Sequence, residues 1–384
     1  MAQDLTKKKI VIVAGEASSD LHAAGLIKEI KALLPSVEFS GLGGNRMQKE
    51  GARVYVNIVD LAVVGFVDVL KNIKKFKFIF NQLLREIDKL NPDLAVLIDY
   101  PGFNLRLAAE LKKRNIPVVY YISPQIWAWG KGRIRIIKKL VKRMIVIFKF
   151  EEELYRKENM PVDFVGHPFL DIVRSNSSLN LPPGKITFAL LPGSRQGEVK
   201  QILPIMLESA KLIRKRIPNS QFLILRSSSV KKELFDRILS SYNLPVHIFS
   251  DSTYEGLNSS DFALVASGSA TLESAILNKP FVIIYKVSWL NWLFLRAMIQ
   301  LPYIGLVNIV AGRKIIEEFI QFGAKPERIA AYITEILNNP QKMAALKDEL
   351  SRVKSLLGEK GASKRAAGII ADLLTKGNCA SREE

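Results

Sequence analysis

The chain has 384 residues, 48% of them hydrophobic and 24% charged, a globular balance that excludes a disordered or fibrous protein. That length exceeds what one hydrophobic core usually serves, so two domains are expected. Lys and Arg number 56 against 37 Asp and Glu, and the net charge of +19 asks for an anionic partner. Met1–Lys9 is polar, then basic, and shows no signal-peptide pattern. Ile10–Ala14 then reads as a buried strand and Ser19–Leu34 as a helix. Leu70–Ile87 carries Ile73, Phe76, Phe80, Leu83, Leu84 and Ile87 at helical spacing. Leu94–Asp99 is a second strand, Leu105–Arg114 a helix, Val118–Ile122 a third strand and Met144–Phe148 a fourth. Strands that are apolar throughout and separated by helices predict a parallel sheet covered on both faces.

The polar stretch Arg174–Gly184 interrupts this pattern and reads as a linker. Alternation then restarts: strand Ile186–Leu191, helix from about Gln196 to Arg216, strand Gln221–Leu225 and helix Val230–Ser241. Strands Val246–Phe249, Phe262–Val265 and Phe281–Tyr285 follow, and the tail from Pro326 is helical. The expected organisation is an N-terminal Rossmann-like domain over residues 1–173, a linker over 174–184, a second such domain over 185–350 and a helical tail over 351–384. The fold class is α/β, with two doubly wound domains facing a cleft. Ligands of such sheets bind beyond the carboxyl ends of the strands, so the residues just after each strand are the candidates.

After the first strand comes Gly15-Glu16-Ala17-Ser18-Ser19-Asp20, which suits a polar ligand near a helix start, or simply a tight turn with Ser19 or Asp20 as N-cap. Asp99 ends the second strand, where a carboxylate is placed to accept a proton from an attacking hydroxyl, or else only opens the Pro101-Gly102 turn. After the third strand, Trp127 and Trp129 beside Gln125 form either a wall for a sugar or acyl group or a loop pinned by buried rings. In the second half, Ser194 and Arg195 end a strand and open a helix, where backbone N–H groups, the helix dipole and a guanidinium favour phosphate. Ser267-Gly268-Ser269 repeats that arrangement, and Glu273 in the next turn suits ribose hydroxyls or merely complements the dipole. Two phosphate-type turns in one domain point to a nucleoside diphosphate, although neither a GxGxxG nor a Walker sequence is present.

The lone Cys379 excludes a disulfide framework and a multi-cysteine zinc site and fits a reducing compartment. His22, His167 and His247 lie far apart without metal-ligand spacing, so neither a metal nor another cofactor is expected. No uninterrupted apolar run reaches the roughly 18 residues of a spanning helix. Phe66, Lys71, Lys74 and Phe76 in the basic, aromatic-rich segment before the second strand read as an interfacial surface, against the alternative of a core-facing helix with a solvated basic side. The stretch Lys131–Lys149 adds eight cations and no acid, with the same alternative, and for Trp289–Leu295, a third candidate contact, the core-facing alternative is favoured. An exposed apolar patch of this kind also admits a homodimer.

Together these segments resemble the lipid-A-disaccharide synthases, inverting glycosyltransferases of the GT-B architecture. The resemblance lies in GEASSD (Gly15–Asp20), GLGGNRM (Gly41–Met47), IDYPGFN (Ile98–Asn104), YYISPQIWAWGKGR (Tyr120–Arg133), FVGHPFLD (Phe164–Asp171), LLPGSRQGEV (Leu190–Val199), SGSATLE (Ser267–Glu273) and LPYIGLVNIVAGR (Leu301–Arg313), in that order. Two departures stand out. Ser19 replaces the glycine of the family's GEASGD, and Tyr100 and Gly102 replace residues of its DAPDFN, leaving Asp99 as the only carboxylate there. The resemblance implies condensation of UDP-2,3-diacylglucosamine with 2,3-diacylglucosamine 1-phosphate to a β(1→6) disaccharide and UDP, without a metal, by an enzyme at the inner face of the inner membrane. Asp99 would be the general base and Glu16 a cleft residue near the acceptor, and Asn308 and Arg313 would lie near the nucleotide. The rivals are another GT-B UDP-sugar enzyme, such as a muramyl-type N-acetylglucosaminyltransferase or a UDP-sugar epimerase, and a basic nucleic-acid-binding protein, for which no RNP, helix-turn-helix or zinc signature is present.

Overall fold

The computed structural model describes residues 7–57, 73–129, 132–175, 177–289, 292 and 302–376. The chain divides into two compact units, one running to Pro168 and resuming at Gly358, the other spanning Phe169–Leu357. The first unit is built on seven parallel strands: β1 Lys9–Ala14, β2 Glu38–Gly43, β3 Arg53–Asn57, β4 Leu94–Ile98, β5 Val118–Tyr121, β6 Arg143–Val146 and β7 Val162–Phe164. Their order across the sheet is β3-β2-β1-β4-β5-β6-β7. The second is built on six: β8 Ile186–Leu191, β9 Ser220–Arg226, β10 Val246–Ser250, β11 Phe262–Ala266, β12 Phe281–Tyr285 and β13 Glu318–Ile320, in the order β10-β9-β8-β11-β12-β13. Both are doubly wound sheets of the expected class, and each reverses direction once, between β1 and β4 and between β8 and β11.

The central strands form because they are apolar on both faces and covered by helices on both. Ile10 to Ala14 and Leu94 to Ile98 are buried without interruption. In the second unit Phe222, Phe188 and Phe262 stand in register on adjacent strands, the first two stacked 5.3 Å apart, and all are fully buried. The sequence reading passed over β2, β3, β7 and β13. β2 reads EFSGLG, poor in β-branched residues, yet Gly41 is required there, because a Cβ on it would sit 1.9 Å from the Ile12 carbonyl oxygen. β7 and β13 have three residues each, too few to show a period.

The boundaries also differ from the expected ones. The stretch Arg174–Gly184 is polar because it is fastened down rather than loose. Asn258 Nδ2 donates to the carbonyls of Arg174 and Ser177 at 3.0 and 2.9 Å, and the Leu179 N–H donates to Ser259 Oγ at 2.7 Å. The tail is not a separate element either. Helix Ala362–Lys376 packs on helix Ala17–Leu33 of the first unit, burying Ala362, Ala366, Ala367 and Ile370. Arg365 anchors it by donating twice to the Val165 carbonyl, at 2.9 and 2.8 Å. Gly358, at φ +86°, starts this return where a Cβ would stand 3.0 Å from the Phe164 ring and 3.2 Å from the Gly166 Cα.

Asp20 turns out to cap a helix other than its own. Its carboxylate accepts the N–H groups of Gly44 (2.8 Å), Arg46 (3.1 Å) and Met47 (3.1 Å), the unpaired donors at the start of helix Asn45–Lys49. This ties the GEASSD segment to GLGGNRM physically. Asp20→Ala, which strands three donors, should lower the free energy of unfolding by about 2–4 kcal/mol in urea titrations, with Asp20→Asn losing less.

Candidate active site

At the reversal point of the first sheet, β1 and β4 pair with Ala14 opposite Ile98, so Glu16 and Asp99 leave adjacent strand ends. Gly15 is glycine for a local reason: a Cβ there would meet the Tyr100 ring at 2.3 Å. Asp99 and Tyr100 both hold left-handed backbone, at φ 48° and 47°, and Ile122 after β5 does so at 64°, an outlying conformation for a β-branched residue. Strain of this kind persists where the surroundings over-determine it. Here the Asp99 N–H donates to the Tyr121 carbonyl at 3.2 Å, and the Asp99 carbonyl accepts Asn104 Nδ2 at 2.8 Å and the Tyr120 hydroxyl. The Asp99 carboxyl is thereby aimed by its own backbone. Burial first, and the charge of Glu16 second, push its pKa up to about 6, with the Tyr100 backbone N–H partly opposing them. A carboxylate poised near neutrality at a strand end is fitted to take a proton from a hydroxyl.

Behind it lies a layer that the sequence reading did not single out. Glu151 is 2% exposed, and its Oε1 accepts the Trp127 indole N–H at 3.0 Å. Burial raises its pKa to about 8 and outweighs the opposing hydrogen bonds from Trp127, Phe148 and Ile147. Tyr155 shares a 2.8 Å hydrogen bond with Ser123 Oγ. His22 and His167 are buried, and burial lowers their pKa values to about 4 and 3, so both stay neutral at physiological pH. In FKFEEELY the three glutamates look like a solvated helix start, and only the fold reveals that two of them are buried.

In the second unit the equivalent reversal brings together the ends of β8 and β11, paired with Leu191 opposite Val265. Gly193 takes φ +109° with the Glu198 carboxylate folded against it, so the turn closes tightly onto helix Gln196–Arg216. Ser194 contributes its carbonyl to Ser229 Oγ at 2.7 Å. Arg195 is 64% exposed and pairs with Glu198 at 3.2 Å. Across the reversal, Ser267 Oγ donates to the Ile304 carbonyl at 3.3 Å, Gly268 has open space where a Cβ would be, and Ser269 is exposed. Glu273 accepts the Tyr254 hydroxyl at 3.0 Å, and burial raises its pKa.

Asn308, expected to lie near the nucleotide, has its side chain engaged by the protein itself. It is fully buried, donates to the Ile316 carbonyl and Glu318 Oε1 at 2.8 Å each, and accepts the N–H groups of Ile315 and Ile316 at 2.9 Å. Its amide is saturated, so it pins the 304–316 segment. Glu318 completes the clamp by accepting the Ile304 and Gly305 N–H groups at 3.0 and 2.9 Å. Arg313 is exposed and ion-paired to Glu349.

The proposed contact surface resolves residue by residue. Phe66 and Lys71 lie outside the described residues, as does the side chain of Trp129. On helix Ile73–Leu90, Phe76 packs against the core rather than facing outward, alongside buried Ile79, Leu83 and Ile87. Lys74, Lys75 and Lys77 are exposed, and Phe78 is the exposed ring, at 62%. Trp127 is half-buried and turned toward Glu151. In the second basic stretch Arg143 is paired with Asp163, at 2.5 and 2.7 Å, while Arg133, Arg135, Lys138 and Lys139 project outward. Among the described residues no helix is long and apolar enough to cross a membrane, and no group of three His, Cys, Asp or Glu is placed to hold a metal.

Comparison with known proteins decides the family. The family model described as lipid-A-disaccharide synthetase matches residues 10–371. The chain belongs to the lipid-A-disaccharide synthase family. Its relatives include the lipid-A-disaccharide synthase of Syntrophus aciditrophicus (strain SB), 43% identical over 98% of this chain and 100% of that protein. The synthase of Geobacter sulfurreducens is 42% identical over 97% and 98%, and that of Coxiella burnetii 38% over 96% and 100%. The fold is shared with the Staphylococcus aureus MnaA–UDP co-structure (TM-score 0.66, 14% identity, 96% and 97% covered). It is shared likewise with the kitacinnamycin glycosyltransferase (TM-score 0.66, 15% identity, 95% and 98% covered). As a lipid-A-disaccharide synthase family member the chain is a glycosyltransferase of lipid A disaccharide synthesis, with two parallel-sheet α/β domains.

Asp99 gives this site a pH signature. Its folded pKa of about 6 lies above the unfolded value near 3.9, so the folded state holds the extra proton between those values. Its contribution to stability is therefore full below about pH 4 and lost as pH rises through about 6. Because neutral His22 and His167 pull the other way below pH 6.5, the contribution is read as the unfolding free energy of wild type minus that of Asp99→Asn in urea, which should fall between pH 4 and 7. In carbon-13 spectra, Glu16→Gln should move the Asp99 carboxyl midpoint downward.

Proposed function

We propose that this enzyme joins UDP-2,3-diacylglucosamine to 2,3-diacylglucosamine 1-phosphate, giving the β(1→6) disaccharide 1-phosphate and UDP. The Asp99 carboxylate, at the reversal point of the first sheet with a pKa near 6, carries this reading. The acceptor's primary hydroxyl attacks the anomeric carbon of the donor, its proton passes to Asp99, and the bond from that carbon to the UDP oxygen breaks with its electrons leaving on UDP. One inversion follows from one displacement. Glu16 keeps the base from becoming too acidic to accept the proton. In the second unit the departing diphosphate acquires charge, and Arg195 with the N–H groups at the start of the 21-residue helix Gln196–Arg216 supplies fixed positive potential for it. Ser267, Gly268 and Ser269 offer an open turn across the same reversal, and Glu273 a carboxylate for ribose hydroxyls.

Acylated substrates require contact with a lipid surface. Exposed Lys74, Lys75, Lys77 and Phe78, with Arg133, Arg135, Lys138 and Lys139, support a peripheral seat on an anionic membrane, each cation contributing about 1 kcal/mol. Binding to vesicles containing anionic lipid should therefore weaken as salt rises, and Phe78→Glu should weaken it further.

Turnover in mixed micelles with EDTA present, scored for disaccharide and UDP, tests the reaction. Wild type should form product with an acid limb of kcat/KM near pH 6. Asp99→Asn should lower kcat by about 10²–10⁴ with UDP affinity kept, whereas Arg195→Ala should weaken UDP binding about tenfold or more. Equal loss of UDP binding in both variants would overturn the assigned roles.

A further inference from the structure

Glu151 takes no part in the scheme above, yet it is a carboxyl buried among rings at the back of the Asp99 site. It occupies the third position of helix Lys149–Lys157, where a glutamate commonly reaches back over the start of its own helix, and the N–H groups of Phe148 and Ile147 favour its charged form. Capping alone does not account for its other partner, the indole N–H of Trp127 at 3.0 Å. One turn further on, fully buried Tyr155 is hydrogen-bonded to Ser123 Oγ at 2.8 Å. Residues four apart lie on one face of a helix, so this helix grips a single loop at both of its ends, Ser123 and Trp127. Phe150 meets the Trp127 ring edge-on at 5.4 Å and stacks on Phe148 at the same distance. The gripped loop begins just after left-handed Ile122, beside the strand end whose Tyr121 carbonyl receives the Asp99 N–H.

We propose that Glu151 and Tyr155 are positioning residues for the acceptor: they buckle the Ser123–Trp127 loop beside Asp99, so that the incoming hydroxyl meets its base in a fixed geometry. The inference rests on the reading that the first unit takes the acceptor. Neither side chain meets a reacting atom. Asp99, from the end of β4, and Tyr155, on the same helix, are the titratable groups electrostatically coupled to Glu151. Tyr120 on β5 couples in turn to Asp99 and Tyr155, and His167 packs on Phe148. Lys149 and Arg156 are paired with Glu152 instead, at 2.5 and 2.6 Å. Glu151 therefore stays neutral at pH 7, and its ionisation near pH 8 would place a second negative charge behind Asp99.

The test compares wild type with Glu151→Ala, Glu151→Gln, Tyr155→Phe and Trp127→Phe. It measures acceptor KM from pH 6 to 9, UDP affinity by calorimetry, and the fluorescence of Trp127 as wild type minus Trp127→Phe. Loss of the buried hydrogen bond in Trp127→Phe or Glu151→Ala should raise acceptor KM about tenfold with UDP affinity unchanged. Tyr155→Phe should raise it by a smaller factor. Glu151→Gln, which keeps an acceptor oxygen but cannot ionise, should recover most of that loss. It should also abolish both the fall in activity above about pH 8 and the matching fluorescence titration. An unmoved acceptor KM in Trp127→Phe and Glu151→Gln, with the alkaline fall intact, overturns the positioning role, as does a parallel loss of UDP affinity. No disaccharide from wild type sinks the reaction itself and this inference with it. Disaccharide from wild type with unmoved KM in the variants sinks the inference alone.

Discussion

The constraint on which the rest depends is the single reversal of strand order in each parallel sheet. Helices wound onto opposite faces on either side of that point leave a gap above the strand ends, and the residues following the two flanking strands meet there. In the first unit those residues are Glu16 and Asp99. In the second they are the Gly193–Arg195 turn and the Ser267–Ser269 turn. Two carboxylates stand at one reversal and a cationic turn at the other, and the proposed reaction draws on both.

Left-handed backbone gathers at the first of these points. Asp99, Tyr100 and Ile122 all hold left-handed conformations, and each is enclosed by specific partners: the Tyr100 ring over Gly15, the Tyr120 hydroxyl and Asn104 amide on the Asp99 carbonyl, and the helix grip on the loop after Ile122. The second unit has buried polar clamps. Asn308 and Glu318 between them satisfy the backbone of both ends of the 304–316 segment. The hydrogen bonds named in both places offset the cost of burying those polar groups.

The expected surface for lipid shows how burial reassigns roles. Phe76 and Phe78 are two residues apart on an amphipathic helix, so they cannot share a face. The core takes Phe76 and leaves Phe78 outside among lysines. Likewise Arg143 closes on Asp163 across the β6–β7 edge and Lys138 donates to the Glu158 carbonyl, while Arg133, Arg135 and Lys139 on helix Arg133–Leu140 are exposed.

The sequence by itself determined the βα alternation, the two sheets, Asp99 and Arg195 as candidates and the family, because each depends on local signals: apolar runs, glycine turns at strand ends and motifs in order. Three-residue strands such as β7 and β13 carry no such signal. Only the tertiary structure decided that Asp20 caps the helix starting at Asn45, that Asn308 is saturated, that the last helix returns to the first unit, and that Glu151 lies buried against Trp127. Each of these joins residues at least 7 apart in sequence, and most of them at least 24 apart. A side chain's polarity states what it needs, while its partner is chosen by which chain segments packing brings within about 3 Å.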